Sequence, residues 1–169
     1  MAKLTAIVAG GGIGGLATAA ALAQRGWAVT VYERQDELRA VGAGIYIWEN
    51  GLRVLEALGA FTQATENAFH GTHFEQRDNH GAIIDSAPIA RGNRLLTVPR
   101  SQLLAALKHV CEQADVAIVT STEVIGANAR GELYFASGGS HTADLAVGVD
   151  GVWSKVRETL GLERSHEQT

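Results

Sequence analysis

Residues 4–34 read LTAIVAGGGIGGLATAAALAQRGWAVTVYER. The apolar run Leu4–Ala9, bounded by glycine, predicts a buried parallel strand. Gly14–Arg25 is rich in alanine and leucine and predicts a helix, and Gly26 is placed to end it. Ala28–Tyr32 is apolar and β-branched and predicts a second buried strand. Strand, helix and strand together form a βαβ unit, whose crossover is right-handed.

The loop between the first strand and the helix is a run of glycines around one isoleucine. Within Gly10-Gly11-Gly12-Ile13-Gly14-Gly15, the first, third and sixth residues satisfy G-x-G-x-x-G. Gly10 permits the tight turn, Gly12 lets a diphosphate approach the backbone, and Gly15 allows close packing of helix on strand. The helix N-terminus, which includes Ile13 and Gly14, offers free N–H groups to phosphates. A glycine-rich turn without a ligand is the alternative interpretation.

Glu33 follows the second strand, about 20 residues beyond the glycine loop. A carboxylate at this position can accept hydrogen bonds from ribose hydroxyls, and it would repel the 2′-phosphate of NADP. A solvated charge at the end of a strand is the alternative. Strand, glycine loop, helix and acid together predict a site for the ADP half of a dinucleotide.

The rest of the chain alternates between strand and helix patterns. Asn50–Leu58 predicts a short helix with Asn50 as N-cap and Gly59 at its end. His70–Pro99 is polar and alternating and predicts two or three antiparallel strands. Further elements are a helix over Gln102–Gln113 capped by Ser101, a strand at Val116–Val119, a meander over Glu123–Ala127, Glu132–Ala136 and His141–Thr142, a strand at Leu145–Val149 and a helix at Ser154–Leu160. The predicted fold is α/β: a Rossmann-like parallel sheet with a β-meander and a partial antiparallel insert.

Composition narrows the class of protein. The chain has 169 residues, 46% of them hydrophobic, and a net charge of −4, which argues against a nucleic-acid partner. Its apolar stretches are too short to span a membrane, and its N-terminus leads directly into a strand, so a cytoplasmic location is expected. The single cysteine, Cys111, lies in a helical pattern of leucines and is expected to be a buried core thiol.

Four segments carry a family resemblance. VAGGGIGGLATAAALAQRGWAVTVYER, residues 8–34, resembles the N-terminus of the flavin-dependent aromatic hydroxylases, which include para-hydroxybenzoate and salicylate hydroxylases. VGAGIYIWENGLRVLEALGA, residues 41–60, is similar to the segment that follows in that family and passes close to the flavin. TVPRSQLLAAL at 97–107 resembles the family's Arg-containing junction, and ADLAVGVDGVWSKVR at 143–157 resembles its Asp-Gly motif. The resemblance is strongest to the 2-methyl-3-hydroxypyridine-5-carboxylate oxygenase branch.

The resemblance implies FAD as cofactor, NAD(P)H as co-substrate, and hydroxylation of an aromatic or pyridine-type phenol with O2. It also implies roles for individual residues. It places Glu33 at the adenosine ribose, Arg34 near the adenine, Gly44 on the flavin side, Arg100 at the phosphate or ribityl region, Val124 at the adenine through its backbone, and Asp150 near the nucleotide. From the residues alone, Arg100 could also be a surface arginine, and Asp150-Gly151 an ordinary turn.

Members of this family continue well beyond 169 residues and carry a Gly-Asp motif, and no Gly-Asp pair occurs here. The sequence is therefore expected to be a truncated form: residues 1–69 and 100–169 as a discontinuous FAD-binding domain, and 70–99 as the first strands of a substrate domain. Flavin hydroxylation requires a pocket that excludes water, so the chain alone is expected to be inactive. Exposed apolar surface would favour homo-oligomers.

Weaker candidates concern substrate and metal. The resemblance places His73 and Phe74 near the substrate pocket. His70, His73 and Glu75 have a metal-like spacing but lack a third clear ligand, so no metal is expected. Tyr46 and Trp48 are expected to pack rather than to catalyse. Two other functions stay open: an NAD-dependent Rossmann oxidoreductase, and a non-catalytic nucleotide-binding or subunit-interaction module.

Overall fold

The chain forms two compact units in a computed structural model that describes residues 2–40 and 42–162. One unit consists of the described residues of Met1–Ala40 and Leu107–Thr169, and the other of those of Val41–Ala106. The predicted domain boundaries at 69/70 and 99/100 differ from these divisions, and the assignment of 70–99 to a substrate domain stays a prediction. The tail after Gly161 that was expected to fray lies, from residue 163, outside the described residues.

The first unit is built on a parallel sheet. Its strands are β1 (Thr5–Ala9), β2 (Ala28–Tyr32), β8 (Ala117–Val119) and β12 (Leu145–Gly148), in the order β12-β1-β2-β8. Helix α1 (Ile13–Ala23) connects β1 to β2, as the βαβ pattern predicts. Four of the five residues of β1 are buried, which is typical of a parallel strand covered on both faces.

A β-meander covers part of this sheet. It consists of β9 (Val124–Ala127), β10 (Glu132–Phe135) and β11 (Ser140–Thr142), paired in the order β11-β10-β9. A buried cluster joins the sheet residues Ile7 and Tyr32 to Val124 and Leu133 of the meander and to Val156 of the short helix α5 (Lys155–Thr159). The meander and the last helix are therefore part of the same core as the parallel sheet.

Helix α4 (Arg100–Gln113) begins at Arg100, one residue before its predicted cap, Ser101. Its Cys111 is fully buried, as expected, and the thiol donates a hydrogen bond to the Leu16 carbonyl oxygen at 3.3 Å. Burial raises the pKa of Cys111 to about 11, so the thiol stays protonated at neutral pH.

The second unit is antiparallel. Strands β3 (Gly44–Trp48), β7 (Leu95–Pro99) and β4 (Phe69–Gly71) form one sheet in the order β3-β7-β4, and β5 (His73–Arg77) and β6 (Ile83–Pro88) form a separate hairpin. Asp78 shapes the hairpin turn, because its Oδ1 accepts hydrogen bonds from the backbone N–H groups of His80 and Ala82. The antiparallel strands and the turn are confirmed, although there are four strands rather than two or three.

Two helices complete this unit, α2 (Glu49–Leu58) and α3 (Phe61–Thr65). Gly59 ends α2 in the left-handed conformation, φ +78°, as predicted. The prediction of Asn50 as N-cap is wrong: β3 runs directly into the helix, so Trp48 is the N-cap and Asn50 lies in the first turn. Helix α3 was not predicted. Within the described chain, no helix combines the length and apolarity needed to cross a bilayer.

Candidate cofactor-binding site

At Gly10 and Gly15, closely packed backbone atoms leave no room for a side chain. Gly10 has φ +107°, and a Cβ there would lie 2.5 Å from the Val149 carbonyl oxygen. A Cβ on Gly15 would overlap the carbonyl oxygen of Gly10. These contacts supply the physical basis expected for a tight turn and for close approach of helix to strand. They hold the N-terminus of α1 directly against the end of β1.

Gly12 has no such packing reason. It is exposed, and no atom lies within 4 Å of a Cβ built on it. Its φ of −75° is accessible to any residue. It is also the N-cap of α1, with no side-chain hydrogen bond and no acidic residue in the first turn. The empty space therefore adjoins unneutralised backbone N–H groups, as a diphosphate requires.

Ile13 and Gly14 form the start of α1 beside this space. Ile13 is half-buried, whereas Gly14 is exposed, and a Cβ on it would lie 3.1 Å from Val149 Cγ1. Their backbone N–H groups belong to the first turn, where a helix offers donors that have no intrahelical acceptor. The first turn thus has the donors, and Gly12 the clearance, for an anionic group.

The Glu33 carboxylate is fixed beside the glycine loop. Its Oε2 accepts a hydrogen bond from Gly11 N at 2.8 Å, and its Oε1 accepts one from Gln35 N at 2.9 Å. A carboxylate has about four acceptor positions, so two remain for ribose hydroxyls. Gly11 is not among the predicted ligands, yet a Cβ there would lie 2.5 Å from Leu38 Cδ2. Its missing side chain allows Leu38 and Glu33 to close over the loop.

Arg34 directly follows Glu33, and Val124 shares a buried cluster with Tyr32, the residue before Glu33. Arg34 is exposed and forms no ion pair with any residue in 2–40 or 42–162. Val124 is 8% exposed and places its side chain in the core cluster of the meander. Only the backbone of Val124 is therefore suited to ligand contact, which is the kind of contact that the resemblance implies.

Asp150 binds its own helix in this structure. Its Oδ1 accepts a hydrogen bond from the Ser154 hydroxyl at 2.5 Å, and its Oδ2 accepts from the backbone N–H groups of Lys155 at 2.6 Å and Val156 at 3.2 Å. Ser154 is itself the N-cap of α5, and its hydroxyl accepts a hydrogen bond from Arg157 N. The geometry assigns Asp150 to the start of α5, and its contact with a nucleotide stays a prediction.

In the second unit, strand pairing brings Gly44 and Arg100 together. Gly44 opens β3 and lies opposite Pro99 of β7. Arg100 N donates a hydrogen bond to the Ala43 carbonyl oxygen at 3.3 Å. The Arg100 side chain is half-buried, and its guanidinium has no acidic partner among the residues described. Its positive charge is therefore available for an anionic ligand.

Of the two residues expected near the substrate, Phe74 and His73, only Phe74 lines a cleft. Phe74 lines an open, largely apolar cleft of about 320 Å³ together with Trp48 and Asn93. His73 is not among the lining residues and contacts the Thr72 hydroxyl at 3.2 Å.

The packing expected for Tyr46 and Trp48 is wrong, because they are 61% and 40% exposed. In the described ranges, no group of three or more His, Cys, Asp or Glu side chains could hold a metal ion.

An ion-pair cluster that was not predicted lies next to this cleft. Arg94 Nε and Nη2 donate to the carboxylate of Glu49 at 2.8 and 3.0 Å, and Nη1 donates to Glu56 at 2.8 Å. The hydrogen bonds from Arg94, and then from Arg53, hold the pKa of Glu49 at about 2. The same contacts raise the pKa of Arg94. Since 45 residues separate Arg94 from Glu49, no local pattern could have indicated the pair.

The sequence matches one protein-family model, described as FAD binding domain, over residues 3–169. It is 43% identical over 167 residues to a probable 2-heptyl-3-hydroxy-4(1H)-quinolone synthase from Rhodococcus erythropolis, covering 98% of this chain and 44% of that protein. It is 33% identical over 168 residues to 3-hydroxybenzoate 6-hydroxylase from Polaromonas naphthalenivorans, covering 93% of this chain and 42% of the relative.

The fold matches a solved structure as well. The tetrameric form of 2-methyl-3-hydroxypyridine-5-carboxylic acid oxygenase superposes with a TM-score of 0.88 at 40% identity, covering 94% of this chain and 42% of that one. The resemblance to flavin-dependent aromatic hydroxylases and to the hydroxypyridine branch is thereby confirmed. The chain spans about two fifths of the length of these relatives.

Proposed function

Because the chain belongs to the family of FAD binding domains, we propose that it holds FAD for a flavin-dependent monooxygenase that hydroxylates an aromatic ring. The observation that carries the proposal is the steric clearance at Gly12, next to the N-terminus of α1 and to a carboxylate already fixed on the loop. This arrangement fits a diphosphate with a neighbouring ribose.

Each residue has a defined task in this proposal. The N–H groups at Gly12, Ile13 and Gly14 bind the diphosphate, and Gly10 and Gly15 hold those groups in place. Glu33 accepts hydrogen bonds from the adenosine ribose. The remaining ligands are Arg34 and the Val124 backbone near the adenine, Gly44 on the flavin side, and Arg100 at the phosphate or ribityl region. Asp150 helps to hold the nucleotide region by fixing the start of α5.

FAD, when bound, supplies the redox chemistry of the reaction. The overall reaction consumes an aromatic C–H group, O2, NAD(P)H and a proton, and it yields the C–OH product, NAD(P)+ and water. The residues of this chain bind and orient the cofactor. That the 169-residue chain alone is inactive stays a prediction.

We assign the substrate to the nitrogen-containing aromatic rings that carry a hydroxyl or oxo group. The names of the relatives support this choice, since one is a quinolone synthase and another a hydroxypyridine carboxylic acid oxygenase. The cleft that Phe74 and Trp48 line offers two aromatic side chains, which suit a flat ring. An oligomer is also part of the proposal, because the hydroxypyridine relative forms a tetramer.

The proposal is tested by titrating the purified chain with FAD and following flavin fluorescence, with gel filtration and an absorption spectrum on the same sample. We expect flavin to co-elute with the protein. Replacing Glu33 by Gln keeps an acceptor for Gly11 N but removes the charge, and it should weaken FAD binding about tenfold. The matched control is Glu66→Gln, which neutralises an exposed carboxylate at the end of α3.

The results have distinct meanings. If flavin binds the wild-type chain and the Glu66 variant but binds the Glu33 variant more weakly, the result supports the proposed site. Binding of NAD in place of FAD would contradict the proposal and favour an NAD-dependent oxidoreductase. Equal FAD affinity in all three proteins would show that Glu33 does not contact the cofactor.

A further inference from the structure

Gly42 lies against the side chain of Arg100. Its backbone has φ +96°, a conformation that residues other than glycine rarely adopt. A Cβ built on Gly42 would lie 3.3 Å from Arg100 Cδ, 3.9 Å from Nη1 and 4.0 Å from Nε. The Arg100 side chain therefore passes directly over a backbone position that carries no side chain.

The segment that contains Gly42 is held in register with Arg100. Gly44 pairs with Pro99 in the β3–β7 ladder, and the Ala43 carbonyl oxygen accepts the N–H of Arg100. These backbone contacts fix the distance between the two segments. A methyl group added at Gly42 would therefore press on the Arg100 side chain rather than move the two backbone segments apart.

Arg100 also differs from the other arginines of its unit. Arg53, Arg77 and Arg94 each form an ion pair with a carboxylate, and Arg91 is exposed in a turn. Arg100 is half-buried and, among the described residues, no carboxylate fixes its orientation. Its side chain instead lies against the backbone of Gly42.

We propose that Gly42 is a positioning residue: its bare backbone seats the Arg100 side chain so that the guanidinium can bind an anionic part of FAD. This inference rests on the proposed function, and it assigns Gly42 a role that acts only through Arg100. A methyl group at this position would displace Arg100 by a few tenths of an ångström, enough to weaken a charge-assisted hydrogen bond.

The test compares Gly42→Ala, Gly92→Ala and Arg100→Ala in the 169-residue chain. Gly92 is the matched control, since its φ is +89° and no atom lies within 4 Å of its Cβ position. Both glycine variants suffer backbone strain, but only the first pushes on Arg100. We expect Arg100→Ala to weaken FAD binding about tenfold and Gly42→Ala about three- to tenfold. Gly92→Ala should leave the affinity within about twofold.

A double variant isolates the coupling. In the Arg100→Ala background, the added methyl at Gly42 has no side chain to displace, so it should change the FAD affinity by less than about twofold. The salt dependence of FAD binding should fall in both the Arg100 and the Gly42 variant, because each removes an effective cation contact. Additive effects of the two substitutions, or an unchanged salt dependence in Gly42→Ala, would overturn the proposal.

A second measurement does not require FAD. In the chain without FAD, ¹⁵N relaxation of the Arg100 Nε–H group should show greater mobility in Gly42→Ala than in wild type or Gly92→Ala. Unchanged mobility would refute the positioning role. If the mobility rises but wild-type protein binds no FAD, the proposed function fails and with it the role of Gly42 in cofactor binding, whereas the seating of Arg100 stands.

Discussion

Gly12 and Gly15 belong to one loop, but their missing side chains have different physical reasons. A Cβ on Gly15 would collide with backbone, whereas one on Gly12 would enter empty space. The second glycine is needed for the packing of α1 on β1, whereas the first has no packing requirement and, in the proposed function, leaves room for the cofactor. The motif G-x-G-x-x-G therefore combines a requirement of ligand binding, at Gly12, with a requirement of folding, at Gly15.

This difference predicts opposite behaviour on substitution. Gly12→Ala should reduce the unfolding free energy by only about 1 kcal/mol, because alanine is a poorer N-cap than glycine but its methyl group would meet no atom within 4 Å. It should nevertheless weaken FAD binding at least about tenfold, since the methyl fills the space beside the first turn. Gly15→Ala should reduce the unfolding free energy by about 2–3 kcal/mol.

Urea denaturation and flavin titration of the two variants measure both quantities. Gly12→Ala that binds FAD as wild type does would show that the diphosphate does not occupy the space at Gly12. Gly15→Ala that is as stable as wild type would show that α1 can move away from β1 without cost.

At the scale of elements, Arg94 joins the start of β7 to α2 and α3. It pairs with Glu49 and Glu56 of α2, and its guanidinium lies 5.3 Å from the ring centroid of Phe61. Trp48 and Asn93, the residues immediately before Glu49 and Arg94, line the cleft of this unit. The ion pair therefore fixes the two chain segments from which the cleft is partly built.

The pKa of Glu49 predicts how stability depends on pH. Its folded value of about 2 lies below the ordinary 4.5, so its contribution is complete above about pH 4.5 and is lost as the pH falls toward 2. Glu49→Gln should lower the unfolding free energy at neutral pH and flatten its decline over that acidic range. Urea denaturation at a series of pH values measures this.

Glu66→Gln again serves as the control, because Glu66 forms no ion pair with a residue of the described chain. Its pH dependence should match that of wild type. If the Glu49 variant declined in parallel with wild type below pH 4.5, the ion pair with Arg94 would not contribute to folding.

For the whole molecule, the hairpin of β5 and β6 is the most unusual surface. Every residue of both strands is exposed, including Phe74, Ile83 and Ile84 at 47%, 53% and 67%. A two-stranded hairpin on its own is marginally stable, and its edges can pair with other strands. Part of the exposed apolar surface expected from sequence therefore lies on this hairpin, and other exposed apolar side chains include Phe69, Val152 and Trp153.

This surface predicts self-association of the 169-residue chain as its concentration rises. Ile84→Lys should shift the population toward monomer, because it places a charge on the exposed hairpin. Val54→Lys is the matched control, since Val54 is 52% exposed but lies on α2. Sedimentation velocity at several concentrations measures the distribution. A chain that stays monomeric throughout, or equal effects of the two lysines, would contradict the prediction.

The sequence by itself determined the order of most elements, without β3 and α3, and the nature of the cofactor. The βαβ unit, the meander and Gly59 at the end of α2 follow from apolar periodicity and from glycine's access to positive φ, both of which are local properties. The N-cap of α2 was mispredicted because β3 continues into the helix without a loop. Glycine loop, acid and family motifs together indicated FAD.

Only the tertiary structure decided what individual side chains do. It gave Gly12 and Gly15 different reasons for lacking a side chain, placed the Asp150 carboxylate against the first turn of α5, and brought Gly42 against Arg100. It also paired Arg94 with Glu49 across 45 residues. The physical reason is range: a local pattern encodes the preference of the backbone, but which polar group meets which is settled when distant segments pack together and must satisfy one another's charges and hydrogen bonds.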